Sequence, residues 1–284
     1  MKRDDLLSFG LGGNKVRKMQ TVAAEAQQAG ADVLITCGGV QSNHARVTAA
    51  TGAVLGMRVI LIANGPAPAA LTGNARLNKL FGAEVRYVAS REERAPAMAA
   101  AADDARAAGG RPFIVPLGAS TPVGAMGFAR GVEELVASPY RPTTIVHSTS
   151  SGGTQAGLIL GCALFGVTTR IIGVSADDPA DALSATIQTL LEAAAAHLGA
   201  QPASVGAASP IDVDDTFVGD GYGLPTPASI EATELVARTE GILLDPVYTA
   251  KAMAGLIARV RHGEWHRDDT VLFWNTGGGP GYFA

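Results

Sequence analysis

The stretch "TTIVHSTSSGGTQAGLILGCALFG" (143–166) determines the fold most directly. A short apolar run is followed by a loop of Ser, Thr and Gly, and a second apolar run of helical length follows the loop. A strand that passes through glycines into a helix is typical of β–α–β units and parallel sheets. Unpaired N–H groups at such a helix start, together with the hydroxyls of Ser150, Ser151 and Thr154, would suit a phosphate. The plain alternative is a glycine turn with a Ser or Thr helix cap.

This loop matches neither common nucleotide-binding motif. It lacks the Gly-Lys-Ser/Thr ending of a Walker A loop and the spacing of the dinucleotide-binding G-x-G-x-x-G pattern. A nucleotide-dependent enzyme is therefore disfavoured.

Apolar strand-like runs alternate with helical stretches along the rest of the chain. We predict strands over 31–39, 58–65, 83–90, 111–118, 169–176 and 269–278, and helices over 43–55, 91–109 and, as a pair, within 228–263. Short strands interleaved with helices predict parallel sheets that are covered on both faces. The polar and small residues of 202–216 predict a surface excursion.

Composition excludes several classes of protein. The 284 residues are 47% hydrophobic and 17% charged, which indicates a folded chain with a sizeable core. A net charge of -4 without a long basic run argues against a nucleic-acid partner. Cys37 and Cys162 lack the spacing of a zinc site and cannot form a disulfide framework, so a cytoplasmic location is expected. No apolar run is long enough for a membrane span, and "MKRDDLLSFG" (1–10) does not have the pattern of a signal peptide.

Near the N-terminus, "GLGGNKVRKMQ" (10–20) places three cations directly after a glycine turn. One interpretation is that Lys15 is a reactive amine that a cofactor can approach closely. The simpler interpretation, an exposed helix cation, is favoured for Arg17 and Lys18.

Four other polar loops follow predicted strands or precede predicted helices. They are "GGVQSNHAR" (38–46), "GDGYGLPTP" (219–227), "DPVYTAK" (245–251) and "WNTGGGPG" (274–281). In a parallel sheet such loops can converge on one cleft. A phosphate site, a candidate reactive lysine and several hydroxyls in one cleft suggest pyridoxal phosphate, whose aldehyde needs a lysine. Taken singly, each polar residue has an ordinary alternative role as a helix cap or a packed tyrosine.

Six motifs occur here in the order that a known family shows. They are "GGNKVRK", "QSNHAR", "SSGGTQAGL", "YGLP", "RTEGILLDPVYTAKAM" and "NTGG". Over essentially its whole length the chain resembles the fold-type II pyridoxal-phosphate enzymes that group 1-aminocyclopropane-1-carboxylate deaminase, D-cysteine desulfhydrase and L-cysteate sulfo-lyase.

The resemblance implies a tryptophan-synthase-β-like α/β fold of two open, mostly parallel sheets flanked by helices. It implies a small domain (20–128), a large pyridoxal-phosphate-binding domain (1–19 and 129–284) and commonly a homodimer. Members usually carry some tens of residues ahead of the segment that matches "KRDD", so the N-terminal segment is expected to be shortened here.

The site residues follow from the same resemblance. Lys15 resembles the Schiff-base lysine, and Asn43 resembles the residue that hydrogen-bonds the ring hydroxyl of the cofactor. Ser42 resembles the residue implicated in binding the substrate carboxylate or in proton transfer. The remaining matches are Gln41 and His44 beside the substrate, Ser151, Gly152, Gly153 and Thr154 around the phosphate, Tyr222 and Tyr248 as active-site tyrosines, and Thr249 and Thr276 beside the cofactor.

Two of these positions distinguish the branches of the family. Deaminases carry Glu directly after the "DPVY" tyrosine and Leu before the final glycines, whereas Thr249 and Thr276 resemble the D-cysteine desulfhydrase pattern. His44, where the deaminases tend to have Gln, agrees with this. A carboxylate near the pyridine nitrogen would favour its protonated form, whereas a threonine offers a neutral hydrogen bond.

The expected reaction is a β-elimination that releases pyruvate and ammonia from a small β-substituted amino acid, D-cysteine first. L-cysteate sulfo-lyase and 1-aminocyclopropane-1-carboxylate deaminase activities are the alternatives within the family. A truncated homologue that binds pyridoxal phosphate without turnover is the alternative of another class.

Overall fold

Two parallel sheets form the framework of the computed structural model, which describes residues 1–200 and 209–284. The small sheet has the order β4-β3-β2-β5, and the large sheet has the order β1-β9-β6-β7-β8. The strands are β1 (Lys2–Arg3), β2 (Val33–Gly39), β3 (Arg58–Asn64), β4 (Glu84–Val88), β5 (Pro112–Ile114), β6 (Thr144–Thr149), β7 (Arg170–Ser175), β8 (Asp212–Asp214) and β9 (Val271–Asn275). Every described strand pair is parallel. The predicted fold class is confirmed.

Helices connect the strands and flank both sheets. They are α1 (Lys15–Gln28), α2 (Asn43–Leu55), α3 (Gly73–Leu80), α4 (Arg94–Ala107), α5 (Pro122–Ala137), α6 (Gly153–Leu164), α7 (Ala180–His197), α8 (Pro227–Glu240) and α9 (Thr249–Arg261). Among the described residues, none of these helices is long and apolar enough to cross a membrane.

The predicted segments occur in the predicted order, and the structure adds elements that were not predicted. Neither α3 nor α5 was among the predicted helices, and α3 is only eight residues long. Strand β8 lies within 202–216, so the surface excursion predicted there is wrong for 212–214. The part of that prediction over 202–208 lies outside the described residues.

The predicted domain division stays a prediction. Residues 33–114 supply the small sheet, and residues 2–3 with 144–275 supply the large sheet. Both predicted boundaries, however, fall inside helices, one in α1 and the other in α5.

A buried polar cluster ties the first residues to the large sheet. The Arg17 guanidinium is 2.8 Å from Asp4 Oδ1 and 2.8 Å from Glu134 Oε1, and Trp274 Nε1 donates to Asp4 Oδ2 at 2.8 Å. Arg17 is only 6% exposed, so its predicted place on an exposed helix face is wrong. A buried guanidinium needs such partners, because burying an unpaired charge is very unfavourable.

Helices α5 and α6 approach each other closely at glycines. A Cβ at Gly157 would lie 2.2 Å from the carbonyl oxygen of Ala125 and 2.5 Å from Phe128 Cβ. Neither neighbour is the end of a flexible side chain, so the two helices would have to separate. The absence of a side chain at Gly157 therefore sets the distance between α5 and α6.

We expect Gly157→Ala to lower the free energy of unfolding by about 1 to 3 kcal/mol, the usual cost of overpacking a core. Helix propensity alone predicts the opposite sign, a gain of about 1 kcal/mol. Urea unfolding of the two proteins would measure the difference. Gly279→Ala is the matched control, because nothing lies within 4 Å of a Cβ there. Unchanged stability in Gly157→Ala would contradict the packing argument.

Candidate active site

Loops at the carboxyl ends of several strands converge on one cleft of about 310 Å³. The cleft is lined by residues that follow β2, β4, β6, β7 and β9, and by the start of α1. This is the place where parallel sheets bind their ligands.

Most of the predicted site residues meet in this cleft. Those that line it are Lys15, Ser42, Asn43, His44, Ser151, Gly152, Thr154, Tyr222, Tyr248 and Thr276. Gln41, Gly153 and Thr249 do not line it and are next in sequence to residues that do. The roles of all these residues stay predictions.

Lys15 is the first residue of α1 and faces the cleft. Its Nζ donates to Asn14 Oδ1 at 3.2 Å, and Asn14 Nδ2 donates to Thr154 Oγ1 at 3.1 Å. Burial lowers the pKa of Lys15 to about 8; Asp245 opposes this shift and Arg46 adds to it. A substantial fraction of the amine is therefore neutral at mildly alkaline pH, as a nucleophile or a base requires.

The loop between β6 and α6 has the features of an anion site. Gly152 has a φ of +74°, a conformation that suits glycine and turns the chain into α6. The hydroxyls of Ser148 and Thr149 are buried and have no hydrogen-bond partner among residues 1–200 and 209–284. Both residues line the cleft, so a bound group could satisfy the two hydroxyls.

Lys18 lies directly beneath this loop and was missed as a site residue. It is completely buried, and its Nζ donates to the Gly118 carbonyl at 3.2 Å and to Ser120 Oγ at 3.1 Å. A Cβ at Gly153 would lie 2.9 Å from that Nζ. The predicted exposed position of Lys18 is therefore wrong. The signal in the sequence was its spacing of three from Lys15, which places both amines on one helix face.

The start of α2 forms another wall of the cleft. Ser42 Oγ accepts a hydrogen bond from the Ala45 amide at 3.1 Å, so the capping role considered for Ser42 is confirmed. His44 Nε2 lies 2.7 Å from Thr36 Oγ1, and Thr36 donates to the Val115 carbonyl at 2.7 Å. Burial, with the charges of the two nearby lysines, lowers the pKa of His44 well below its usual value, so the imidazole is neutral.

The two tyrosines meet at the mouth of the cleft. The hydroxyls of Tyr222 and Tyr248 are hydrogen-bonded to each other, and their ring centroids are 5.9 Å apart in an edge-to-face arrangement. Burial raises the pKa of both phenols, and the pKa of Tyr248 rises well above its usual value. Both phenols are therefore proton donors at neutral pH. Arg91, which is paired with Asp177 at 2.7 Å, lies over the Tyr222 ring.

A family model described as "Pyridoxal-phosphate dependent enzyme" matches residues 1–277. The chain belongs to this family. It is 36% identical to D-cysteine desulfhydrases of Salmonella choleraesuis (strain SC-B67) and Salmonella typhi, over the whole chain and 88% of each relative. The crystal structure of an ACC deaminase homologue superposes with a TM-score of 0.90 at 34% identity, over 99% of this chain and 85% of that one. A fungal L-serine ammonia-lyase from Rhizomucor miehei shares the fold, with a TM-score of 0.65 at 16% identity over 99% and 88% of the two chains.

The residues present fit pyridoxal phosphate, the cofactor of this family. The Lys15 amine faces the cleft, and the anion site lies at the start of α6 in the same cleft. The unpartnered hydroxyls of Ser148 and Thr149 match a phosphate, which has oxygen atoms that accept hydrogen bonds. The Lys18 amine lies below the same loop, and a bound phosphate would raise its pKa and favour its charged form.

Asp245 organises the loop that carries Tyr248 in this pyridoxal-phosphate enzyme. Its carboxylate accepts hydrogen bonds from the amides of Val247 at 3.1 Å, Tyr248 at 3.2 Å and Thr249 at 2.7 Å. The Thr249 hydroxyl donates to the same carboxylate at 2.9 Å. The Thr249 hydroxyl is thus already engaged by Asp245, which explains why it does not line the cleft.

We expect Lys18→Met to stabilise the cofactor-free protein and to weaken its affinity for pyridoxal phosphate. Among residues 1–200 and 209–284 the buried amine bonds only neutral oxygen atoms, so its removal should raise the free energy of unfolding by about 1 to 3 kcal/mol. Loss of this amine, which lies beneath the loop that would hold the phosphate and would be charged next to a bound anion, should weaken binding by about tenfold or more. Urea unfolding without cofactor and a cofactor titration measure the two effects.

The stability gain in Lys18→Met should shrink as the pH rises toward 10. Burial, with the charge of Lys15, lowers the pKa of Lys18 well below its value in the unfolded chain. Between these two pKa values the unfolded state binds more protons than the folded state, so the wild type becomes more stable as the pH rises toward the unfolded pKa. Lys79→Met changes an exposed lysine and serves as the control. A Lys18→Met protein that is less stable and binds the cofactor as tightly as the wild type would contradict this assignment.

Proposed function

We propose that this enzyme is a pyridoxal-phosphate-dependent β-elimination lyase with D-cysteine desulfhydrase activity. D-cysteine and water would give pyruvate, ammonia and hydrogen sulfide. The observation that carries the proposal is the 36% identity to D-cysteine desulfhydrases over the whole chain. Thr249 and Thr276, which match the desulfhydrase pattern, support the same branch.

Lys15 would hold the cofactor aldehyde covalently in the resting enzyme. When it is not linked to the cofactor, the Lys15 amine would take the α-proton of the substrate, and its lowered pKa of about 8 suits a base. The cofactor would supply the electron sink that makes this proton removable.

The tyrosine pair would act on the departing sulfur atom. Because burial keeps Tyr222 and Tyr248 protonated, either hydroxyl can donate a hydrogen bond or a proton to a leaving thiolate. The contact between the two hydroxyls gives a route by which a proton lost from one can be replaced from the other.

The walls of the cleft would bind two anionic groups, the phosphate of the cofactor and the carboxylate of the substrate. The loop residues Ser151, Gly152, Gly153 and Thr154, together with Lys18, would bind the cofactor phosphate. Gln41, Ser42, Asn43 and His44 at the start of α2 would bind the substrate carboxylate and the ring hydroxyl of the cofactor. Thr276 lines the same cleft and would offer the ring a neutral partner, and Thr249 would act there through the Asp245 loop.

We also propose that the protein is cytoplasmic and forms a homodimer. Cys37 and Cys162 are both free and buried, which fits a reducing compartment. The homodimer follows from the family resemblance, and light scattering after size-exclusion chromatography would measure it.

We expect D-cysteine to give the highest kcat/KM in a panel scored by pyruvate or 2-oxobutyrate formation. L-cysteate, L-cysteine and 1-aminocyclopropane-1-carboxylate should be slower by about tenfold or more, the discrimination that a shaped pocket commonly gives. Lys15→Arg keeps the charge but cannot form the covalent link. It should lose the visible absorbance of the bound cofactor and activity on the order of a thousandfold or more.

Other outcomes would point to the alternative functions. Fastest turnover of 1-aminocyclopropane-1-carboxylate would identify a deaminase, and fastest turnover of L-cysteate a sulfo-lyase. Bound cofactor without turnover of any substrate would contradict the proposed activity and leave a binding protein.

A further inference from the structure

Asn74, the second residue of α3, lies behind the cleft and contacts the loop before α2. Its Nδ2 donates to the Gln41 carbonyl at 2.8 Å and to Asn43 Oδ1 at 2.9 Å. Its backbone N–H donates to Gln41 Oε1 at 2.8 Å. Asn74 is completely buried and does not line the cleft, so it acts only through its neighbours.

These contacts determine which way each amide points. The Gln41 carbonyl can only accept a hydrogen bond, so the Asn74 atom that faces it must be the NH2 group. The Asn43 atom that faces the same NH2 group must then be the oxygen. The orientation of the Asn43 amide therefore follows from a backbone carbonyl, which cannot be reversed as a side-chain amide can.

These contacts leave the NH2 group of Asn43 available as a hydrogen-bond donor in the cleft. Asn43 lines the cleft, and its oxygen is already used by Asn74. Its NH2 group is left to face a bound molecule. A ring hydroxyl or its anion accepts such a hydrogen bond. If the Asn43 amide were reversed, its oxygen would face the ring oxygen, and both are acceptors.

The segment around Asn74 is held tightly enough to maintain this orientation. Gly73 has a φ of +44°, and a Cβ there would lie 2.7 Å from Gln41 Oε1 and 2.9 Å from the Pro280 carbonyl oxygen. The start of α3 is thus confined between the Gln41 loop and the C-terminal residues. Asn74 Oδ1 has no hydrogen-bond partner among residues 1–200 and 209–284. The side chain of Asn74 therefore contacts its neighbours through its NH2 group.

We propose that Asn74 is a positioning residue that holds the Asn43 side chain with its NH2 group toward the ring hydroxyl of the cofactor. The proposal rests on the proposed function, because it takes the role of Asn43 from there. It adds a residue on another helix that sets the direction of that hydrogen bond.

Asn74→Asp removes the NH2 donor of Asn74 and leaves the size and shape of the side chain almost unchanged. A carboxylate at 74 cannot donate to the Gln41 carbonyl or to Asn43 Oδ1, and it would repel both oxygen atoms. We expect the cofactor to bind about tenfold or more weakly, as for one lost or reversed hydrogen bond, and its visible absorbance band to shift. Asn74→Ala removes the donor without adding repulsion and should show the same changes to a smaller extent.

Asn78→Ala is the matched control. Asn78 is a buried asparagine one turn later on the same helix, and no hydrogen bond joins it to Gln41 or Asn43 in the described structure. It should lower thermal stability without moving the absorbance band or the cofactor affinity. If Asn74→Asp and Asn74→Ala behave in the same way as Asn78→Ala, Asn74 has only a structural role and the proposal is wrong.

A wild-type measurement does not depend on the variants folding. In protein labelled with nitrogen-15 at asparagine, the side-chain NH2 signals of Asn43, assigned with Asn43→Asp, should shift when cofactor is added. Unshifted Asn43 signals with bound cofactor would overturn the proposal. A wild-type protein that binds cofactor but turns over no amino acid contradicts the proposed activity and leaves this test intact.

Discussion

The glycine turn before Lys15 is the constraint on which the rest of the site depends. Gly13 donates to the Asp4 carbonyl at 2.8 Å, and the Asn14 amide donates to the Thr276 carbonyl at 2.8 Å. A Cβ at Gly277 would lie 2.6 Å from the Gly13 Cα, so the loop after β9 rests directly on this turn. Arg46 donates to the Gly12 carbonyl at 2.7 Å from the opposite side. The start of the chain, the loop after β9 and α2 thus fix the position of Lys15, and the close approach of Gly277 to Gly13 requires glycine.

Burial of cations next to this turn gives the site its chemistry. Arg17 is buried with carboxylate partners and serves the fold, whereas in the described part of the chain the Lys18 amine bonds only a carbonyl and a hydroxyl. Lys15 is intermediate between Arg17 and Lys18, because the charge of Asp245 partly offsets the effect of burial on the pKa of Lys15. A site that holds two amines without direct carboxylate partners is unfavourable when empty and suited to an anionic cofactor.

Much of this organisation could be predicted from the sequence, because strands, glycine loops and helix starts have local signals. The cleft residues from the start of α1, the start of α2 and the loop before α6 were all recognisable in this way. Arg17 was misplaced, because its residue type does not show that distant carboxylates will bury it. Lys18 was misplaced because its spacing of three from Lys15 was not used. Asn74 had no signal at all, since its importance depends on a contact with residues more than thirty positions away.

The most direct test of the central claim is to find the lysine that carries the cofactor. Borohydride reduction of the protein with bound pyridoxal phosphate, followed by peptide mass spectrometry, would fix the link at its site. We expect a single major adduct on Lys15, and none on Lys18, which lies beneath the loop before α6. An adduct on Lys18 or Lys251, or none at any lysine, would contradict it.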